Sequence, residues 1–252
     1  MANKEIKIKV YPDSRNASKI FAELLVNEIN KILYKKKYCL ISMPTGNTPI
    51  GLFYELIELY KKKKISFKNI FFFNLDEFYP ISKDDTHSYN YYLFKKLFNH
   101  IDIPKKNINM LNGDINEKDI PRHCLSFEDK IEKLGGLDIQ ILGIGQNGHI
   151  GFNEPGSLID TKTRKVKISD HSLSIISNEF NDKNKVPREA LTMGIKTILS
   201  SNKIFLLAWG NNKSTIIEKT IKNKITKNIP ATYLKKHNNV TFILDKYSSS
   251  KI

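Results

Sequence analysis

The feature that most constrains the fold is a regular alternation between short apolar runs and longer segments with helical periodicity. Residues 14–36 represent the helical kind, because Phe21, Leu25 and Ile29 recur at four-residue steps and therefore share one helix face. Residues 38–43 represent the strand kind, a run that is apolar except for Ser42 and has the length of a buried strand. Alternation of this kind predicts parallel strands that are joined by helices.

The same pattern extends along the whole chain. The predicted strands are Ile6–Val10, Tyr38–Met43, Phe71–Asn74, Leu137–Leu142, Ile204–Ala208 and Val240–Leu244. The predicted helices are 14–36, Pro49–Lys63, Ser88–Asn99, Lys118–Leu134, Arg188–Leu199 and Ser214–Lys222. No internal repeat and no linker rich in Pro, Gly or Ser interrupts them. We therefore predict a single-domain, Rossmann-like α/β fold over residues 1–252, with a mostly parallel sheet and helices on both faces.

The charge balance is strongly basic, with 41 Lys and Arg residues against 26 Asp and Glu residues, or +15. Such a balance is common in nucleic-acid binders. Only four of the basic residues are arginine, however, and reading of base edges favours arginine. The lysines are spread from end to end, so we expect no nucleic-acid partner, although the positive field would attract an anionic substrate.

No apolar run approaches the roughly 18–20 residues that a membrane span needs, and the first ten residues lack the apolar stretch of a secretory signal. The two cysteines, Cys39 and Cys124, are too few for a disulfide framework or a four-cysteine zinc site. We therefore expect a cytoplasmic protein with no membrane partner.

Ligands of doubly wound folds bind at the carboxyl ends of the strands, so the segments that follow predicted strands are the place to look for a site. The segment after the second strand, Pro44–Pro49, has hydroxyl groups, a glycine and the free N–H groups of a helix N-terminus, with Pro49 at the first helical position. These groups can bind a phosphate. The alternative is a well-capped turn.

Two acidic residues, Asp76 and Glu77, directly follow the third predicted strand, in the predicted loop Leu75–Pro80. Adjacent residues of an extended chain point to opposite sides, so only one carboxylate is expected to face a site. That carboxylate could act as a general base. The alternative is a structural carboxylate that caps the next turn.

The glycine-rich segment Gly143–Gly156 follows the fourth predicted strand, and its start matches the dinucleotide pattern G-x-G-x-x-G. That pattern needs a long helix after the glycines, and Gly151, Pro155 and Gly156 interrupt any helix here. We therefore expect no nicotinamide cofactor.

The same segment carries His149 and, five residues later, Glu154. An imidazole that a carboxylate orients can shuttle protons near neutral pH. After the next predicted strand, Lys213 opens a helix and could bind a phosphate as a point charge, or it could be one more surface lysine.

Taken together, these segments resemble the glucosamine-6-phosphate deaminase/isomerase family over nearly the whole chain. The matching strings are MPTGNTPIGLFYEL, FNLDEFYP, HSYNYYLFKKLFNHIDIP, GGLDIQILGIGQNGHIGFNEPGS, TKTR, VPREALTMGIKTIL, LAWGNNKS and IPATYL. Related 6-phosphogluconolactonases share the fold and the GxGxxGH core but differ where this chain has FNEPG. The resemblance implies conversion of glucosamine 6-phosphate, a small-molecule sugar phosphate, into fructose 6-phosphate and ammonia, without cofactor or metal. The alternatives are a hydrolase like the 6-phosphogluconolactonases and a sugar-phosphate-binding protein without catalytic activity.

The resemblance also implies roles for individual residues. Asp76 is expected to move a proton between C2 and C1, and His149 to open the sugar ring, with Glu154 and Asn147 grouped around the histidine. The residues implied in phosphate binding are Thr45, Gly46, Asn47, Thr48 and Lys213. The residues implied in shaping the pocket are Glu77, Gly145 and Gly148.

The chain departs from the family pattern at two places. Many members have Asp at the position of Asn147, and an amide adds no negative charge, although its carbonyl could accept a bond from the imidazole. Many members also carry a phosphate-binding arginine between Arg164 and Pro187, where this chain has none. We expect a lysine such as Lys183 or Lys185 to replace it, or a weaker hold on the phosphate.

Some members bind an N-acetylated sugar phosphate at a subunit interface. Ser157 and Arg164 match part of that effector site, but the lysine expected two residues after the arginine is Val166. We therefore expect an unregulated enzyme, and the resemblance leaves a homo-oligomer open.

Overall fold

The computed structural model describes residues 6–180, 182 and 185–252. Its strands are β1 (Lys7–Tyr11), β2 (Cys39–Met43), β3 (Ile70–Asn74), β4 (Asp76–Tyr79), β5 (Ile108–Asn109), β6 (Ile139–Leu142), β7 (Arg164–Lys167), β8 (Glu189–Thr192), β9 (Lys203–Ala208) and β10 (Val240–Asp245). Its α-helices are α1 (Ser14–Lys35), α2 (Ile50–Lys61), α3 (Tyr89–Lys96), α4 (Ile120–Lys133), α5 (Asp170–Ile176), α6 (Ile195–Leu199) and α7 (Ser214–Lys222).

The main sheet has seven parallel strands in the order β1-β10-β9-β6-β2-β3-β5. Alternate residues of β9 point to opposite faces of this sheet. Ile204 and Leu206 pack in the apolar cluster that includes α4, α6 and α7. Phe205 and Leu207 pack in the cluster formed with α1, α2 and α3. The predicted parallel sheet with helices on both faces is confirmed.

The helix starts follow from their capping groups. The Asp13 carboxylate accepts the Asn16 N–H at 2.7 Å, so the N-cap of α1 is Asp13, and Ser14 is the first helical residue rather than the cap. Pro49 likewise occupies the N-cap of α2 and not the first helical position. Along α1, Phe21, Leu25 and Ile29 are fully buried, as their spacing predicts.

A second, antiparallel sheet of order β4-β8-β7 was not predicted. The loop prediction for Leu75–Pro80 was wrong because Asp76–Tyr79 forms β4. The helix prediction for Arg188–Leu199 was wrong over Glu189–Thr192, which pairs with strands on both sides. Its helix-forming residues adopt the strand because tertiary pairing and burial outweigh local propensity.

The fold brings four chain segments to one edge of the main sheet. Strands β9, β6, β2 and β3 are neighbours and parallel, so the residues that follow them meet at their carboxyl ends.

Among the described residues, none of the helices combines the length and the apolar character that a membrane span requires.

Candidate functional site

A cavity of about 210 Å³ lies at the carboxyl ends of these four strands. Its walls come from the segments that follow β2, β3, β6 and β9, together with Tyr89 at the start of α3 and the α5 helix. The lining residues are Pro44, Thr45, Gly46, Asn47, Thr48, Leu75, Asp76, Tyr89, Gly143, Ile144, Gly145, Gln146, His149, Gly151, Phe152, Ser172, Ile175, Ile176 and Lys213.

The two acidic residues of β4 lie in different surroundings. Asp76 lines the cavity. Glu77 is turned away and accepts the backbone N–H groups of Tyr89 and Asn90, at 2.8 Å each, and of Phe78, at 3.0 Å. The prediction that only one of the two faces the site agrees with this geometry. Glu77 thereby joins β4 to the N-terminus of α3.

The carboxyl groups of this pair are buried and difficult to ionise. Burial raises the pKa of Asp76 to about 8, and the nearby Glu77 adds to the shift. Burial also raises the pKa of Glu77 to about 7, although its three N–H donors oppose the shift. Those donors favour the charged form of Glu77. Among the described residues, Asp76 has no such donor to lower its pKa, and its carboxylate is available to accept a proton in the cavity.

His149 borders the cavity, and Glu154 lies behind it. The His149 Nδ1 atom lies 3.5 Å from Glu154 Oε2. Glu154 Oε2 also accepts the Asn147 side-chain amide at 2.8 Å, and Glu154 Oε1 accepts the Ser172 hydroxyl. Burial opposes the ionisation of Glu154, but hydrogen bonding and charge from His149, with donation by Ser172 and Asn147, lower its pKa to about 2. Glu154 is therefore a carboxylate.

Asn147 acts differently from the expectation that its carbonyl accepts from the imidazole. That carbonyl accepts the backbone N–H of His149 at 3.1 Å, while the amide N–H₂ group donates to Glu154. The side chain thus ties the backbone of the histidine to the carboxylate. Neither Asn147 nor Glu154 lines the cavity itself.

The glycines of the segment after β6 allow this packing. A Cβ atom on Gly145 would lie 2.2 Å from the His149 ring, and one on Gly148, where φ is +88°, would lie 2.6 Å from Ile229. Gly145 lines the cavity, whereas Gly148 packs behind the loop. The imidazole therefore lies directly on the Gly145 backbone.

The segment after β2 presents its backbone to the cavity. Gly46 has a φ of +81°, and its carbonyl accepts the Tyr92 hydroxyl at 2.5 Å. The Trp209 indole N–H donates to the Thr48 carbonyl at 2.8 Å. Within the described chain, the N–H groups of Thr45 through Thr48 donate to no protein acceptor, so they are free to bind an anion.

Lys213 is the only lysine or arginine that lines the cavity in the described part of the chain. Its Nζ donates to the Ile144 carbonyl at 2.7 Å, and burial lowers its pKa. Lys185, considered as a replacement for the missing arginine, lines a separate cleft with His87 and Phe180. Lys183 lies outside the described residues.

The two residues assigned to an effector site lie away from the cavity. Arg164 lines a separate cleft beside Cys124, and its guanidinium donates to Asn153 Oδ1 at 2.9 Å. The Ser157 carbonyl accepts the Tyr233 hydroxyl at 3.2 Å. In residues 6–180, 182 and 185–252, no group of three or more His, Cys, Asp and Glu side chains is arranged to hold a metal ion.

Sequence reasoning missed the contribution of α5. This helix supplies Ser172, Ile175 and Ile176 to the cavity wall, and its N-cap Ser169 accepts the Ser172 N–H at 3.2 Å. The capping serine before an apolar segment was the available signal for the helix. Nothing in the local sequence pattern shows that α5 forms part of the cavity wall.

Comparison with known proteins places the chain in a family. The family of glucosamine-6-phosphate isomerases and 6-phosphogluconolactonases matches residues 12–243. A glucosamine-6-phosphate deaminase of Clostridium novyi (strain NT) is 43% identical over 247 residues, or 98% of this chain and 100% of the relative. One of Thermoanaerobacter sp. (strain X514) is 42% identical over 247 residues, or 98% of this chain and 95% of the relative.

Solved structures agree with the sequence comparison. A monomeric glucosamine-6-phosphate deaminase has a TM-score of 0.92 and 35% identity over 98% of this chain and 100% of that one. A 6-phosphogluconolactonase of Thermotoga maritima, with a TM-score of 0.77 and 20% identity over 96% of this chain and 100% of that one, shares the fold. The chain therefore belongs to the family of glucosamine-6-phosphate isomerases and 6-phosphogluconolactonases.

Proposed function

We propose that the protein is a glucosamine-6-phosphate deaminase, which converts glucosamine 6-phosphate and water into fructose 6-phosphate and ammonia. The observation that carries the proposal is that Asp76, His149 and a row of free backbone N–H groups border one cavity of about 210 Å³. The reaction needs a general base, a proton shuttle and an anion site close together, and this cavity offers each of them. The names of the relatives support the same activity.

The phosphate is assigned to the segment Thr45–Thr48 and to Lys213. Free N–H groups in a turn with a glycine at positive φ favour an anion, and the half-buried ammonium of Lys213 adds a point charge. No arginine lines the described cavity, so bidentate recognition is not part of this proposal. Among the described residues that line the cavity, Lys213 is then the only one whose positive charge does not depend on protonation of a histidine.

The role of Lys213 can be tested by replacing it with alanine. We expect the KM for glucosamine 6-phosphate to rise by about 10- to 100-fold, the range for loss of a hydrogen bond to a charged group, with a smaller change in kcat. Lys224→Ala is the matched control because it removes the same charge from an exposed position. Equal KM values in the two variants would exclude Lys213 from phosphate binding.

Ring opening is assigned to His149. The Nδ1 atom of the imidazole is directed at Glu154 and Ser172. The Nε2 atom is therefore the ring nitrogen that is left to exchange protons with the substrate. Nε2 would take the proton from O1 of the pyranose and deliver a proton to O5, which breaks the C1–O5 bond and leaves an aldehyde. Glu154 stabilises the imidazolium that forms between the two transfers.

Asp76 is assigned to the proton transfer that follows. The carboxylate would take the proton from C2 while O1 gains a proton that the ammonium group at C2 releases, which gives an enediol-type intermediate. The protonated Asp76 would then return its proton at C1 on the same face, and the nitrogen at C2 becomes the iminium form of the ketimine. The product is a ketimine at C2, and attack by water on C2 releases ammonia and leaves the ketone of fructose 6-phosphate. A raised pKa makes Asp76 a stronger base than an ordinary carboxylate once it is ionised.

This assignment predicts a pH dependence. Because Asp76 must be ionised to accept a proton and its pKa is about 8, kcat/KM should rise about tenfold per pH unit below that value and level off above it. Glu77→Gln removes the nearby charge and should move the rise to lower pH, since that charge raises the pKa of Asp76. Titration of the substrate itself is the same for both enzymes. Identical profiles would contradict the coupling between Asp76 and Glu77.

The proposed activity is tested by mixing the protein with glucosamine 6-phosphate and following ammonia and fructose 6-phosphate together. Galactosamine 6-phosphate, the C4 epimer, serves as the specificity control, and 6-phosphogluconolactone as the substrate of the alternative branch. Equimolar ammonia and fructose 6-phosphate are expected from glucosamine 6-phosphate alone. Lactone opening without ammonia would replace this proposal by a lactonase.

We place the reaction in the cytoplasm, where the buried free thiols of Cys39 and Cys124 stay reduced. Adding N-acetylglucosamine 6-phosphate to the assay tests whether Ser157 and Arg164 take part in an effector site. The expected result is no activation, because Val166 stands where the family has a lysine two residues after the arginine.

Size-exclusion chromatography decides between a monomer and a homo-oligomer.

A further inference from the structure

The side chain of Ser172 connects the cavity wall to the histidine–carboxylate pair. Ser172 belongs to α5 and is 2% exposed. Its hydroxyl donates to Glu154 Oε1 and lies 3.4 Å from His149 Nδ1. No other residue of α5 has a hydrogen bond to either member of the pair in the described chain.

The hydrogen-bond capacity of the hydroxyl fixes its direction. A serine hydroxyl has one hydrogen to donate and two lone pairs. Ser169 Oγ donates to Ser172 Oγ at 3.2 Å, which occupies one lone pair. The single hydrogen is directed to the carboxylate of Glu154, and the second lone pair is left for Nδ1–H of His149. This arrangement favours the tautomer with the proton on Nδ1.

The partners of Glu154 show what the hydroxyl adds. Asn147 and His149 both contact Oε2, while Ser172 is the donor to Oε1. Without the Ser172 hydroxyl, the Glu154 carboxylate is held only through Oε2. Its Oε1 atom is then a buried acceptor without a hydrogen-bond donor. The carboxylate is then free to rotate away from Nδ1.

The α5 helix is held in place independently of this hydroxyl. Leu173 and Ile176 pack against the apolar cluster that contains Phe78 and Phe152. Replacing Ser172 by alanine therefore removes the hydroxyl without removing the packing of the helix. An effect of the replacement can be assigned to the hydrogen bonds.

We infer that Ser172 is a positioning residue that fixes Glu154 and His149 for ring opening and links them to the α5 helix, which lines the cavity. This inference rests on the proposed function, because it assigns Ser172 to one step of that reaction. Ser172 keeps Glu154 and His149 in position and does not itself exchange a proton with the substrate.

The test compares Ser172→Ala, Ser172→Thr and wild type with glucosamine 6-phosphate. We expect Ser172→Ala to lower kcat by about tenfold with KM within about twofold, since the lost hydrogen bond is to a charged group. Threonine keeps the hydroxyl and should restore most of the rate. Ser174→Ala, on the exposed side of the same helix, is the matched control and should behave as wild type. A change in KM alone, or equal losses with alanine and threonine, would overturn the inference.

Deuterium at C2 of the substrate distinguishes ring opening from the later step. If Ser172→Ala slows ring opening, C2–H cleavage limits the rate less, and the isotope effect on kcat/KM becomes smaller than in wild type. An isotope effect that is unchanged or larger would contradict the role. A wild-type protein that releases no ammonia contradicts the proposed function, whereas an active wild type with an unaffected alanine variant contradicts only the inference on Ser172.

Discussion

Replacing Asp76 by asparagine is expected to lower kcat with glucosamine 6-phosphate by about a thousandfold or more, near the upper part of the range for loss of a general base. The amide has the shape of the carboxylate but cannot take the proton from C2. No second carboxylate lines the described cavity, and Glu77 is occupied by three backbone N–H groups. The residual rate should therefore be close to that of ring-opened substrate without a base.

Substrate affinity should change little in Asp76→Asn, because the phosphate is assigned to other residues of the cavity lining, 45–48 and Lys213. Isothermal titration with fructose 6-phosphate measures that affinity without turnover. Asp84→Asn is the control, since Asp84 lies eight residues away with an 81% exposed side chain. An Asp76→Asn enzyme within tenfold of the wild-type kcat would show that another group is the base.

The same substitution should not destabilise the fold. The pKa of the Asp76 carboxyl group rises from 3.8 to about 8 on folding. Between pH 3.8 and about 8, this group therefore binds more protons in the folded than in the unfolded state. Its contribution to stability is therefore present below pH 3.8 and is lost as the pH rises through about 8. Asparagine has no charge to bury, so the Tm of Asp76→Asn should equal or exceed that of wild type above pH 8. Thermal unfolding at pH 6 and pH 9 checks the sign.

The main sheet was predictable largely because its central strands are buried over almost their whole length. Strands such as β2 and β9 have apolar residues on both faces, and continuous apolar runs between helices indicate a parallel sheet. The small sheet was not predictable in this way. β7 contains Arg164, Lys165 and Lys167, and β8 contains residues that also suit a helix, so their pairing is decided by contacts between distant segments.

The location of the site followed from topology, but its internal contacts did not. Asp76, His149 and Lys213 follow predicted strands, and the carboxyl ends of neighbouring parallel strands meet at one edge. Ser172 follows no predicted strand of the main sheet. Its contact with Glu154 depends on where α5 packs along the cavity wall. No local sequence pattern predicts that position.

Replacing Gly145 by alanine is expected to lower kcat by about a hundredfold, the cost of misplacing a reacting group by about 1 Å. A Cβ atom there would lie 2.2 Å from Cε1 and 2.3 Å from Nδ1 of His149. The loop backbone cannot yield easily, because the Gly145 N–H donates to the His149 carbonyl and its carbonyl accepts the Gly148 N–H, both at 2.9 Å. The ring must therefore move and lose its alignment with Glu154.

Gly143→Ala is the matched comparison, since a Cβ atom at Gly143 would meet nothing closer than Thr48 Oγ1 at 4.0 Å. We expect it to lose far less kcat than Gly145→Ala, although both substitutions stiffen the same glycine-rich segment. The KM of Gly145→Ala should stay near that of wild type, because the residues to which we assign the phosphate are unchanged. Equal losses of kcat in the two variants would mean that loop stiffness, and not the position of the imidazole against Gly145, limits the reaction.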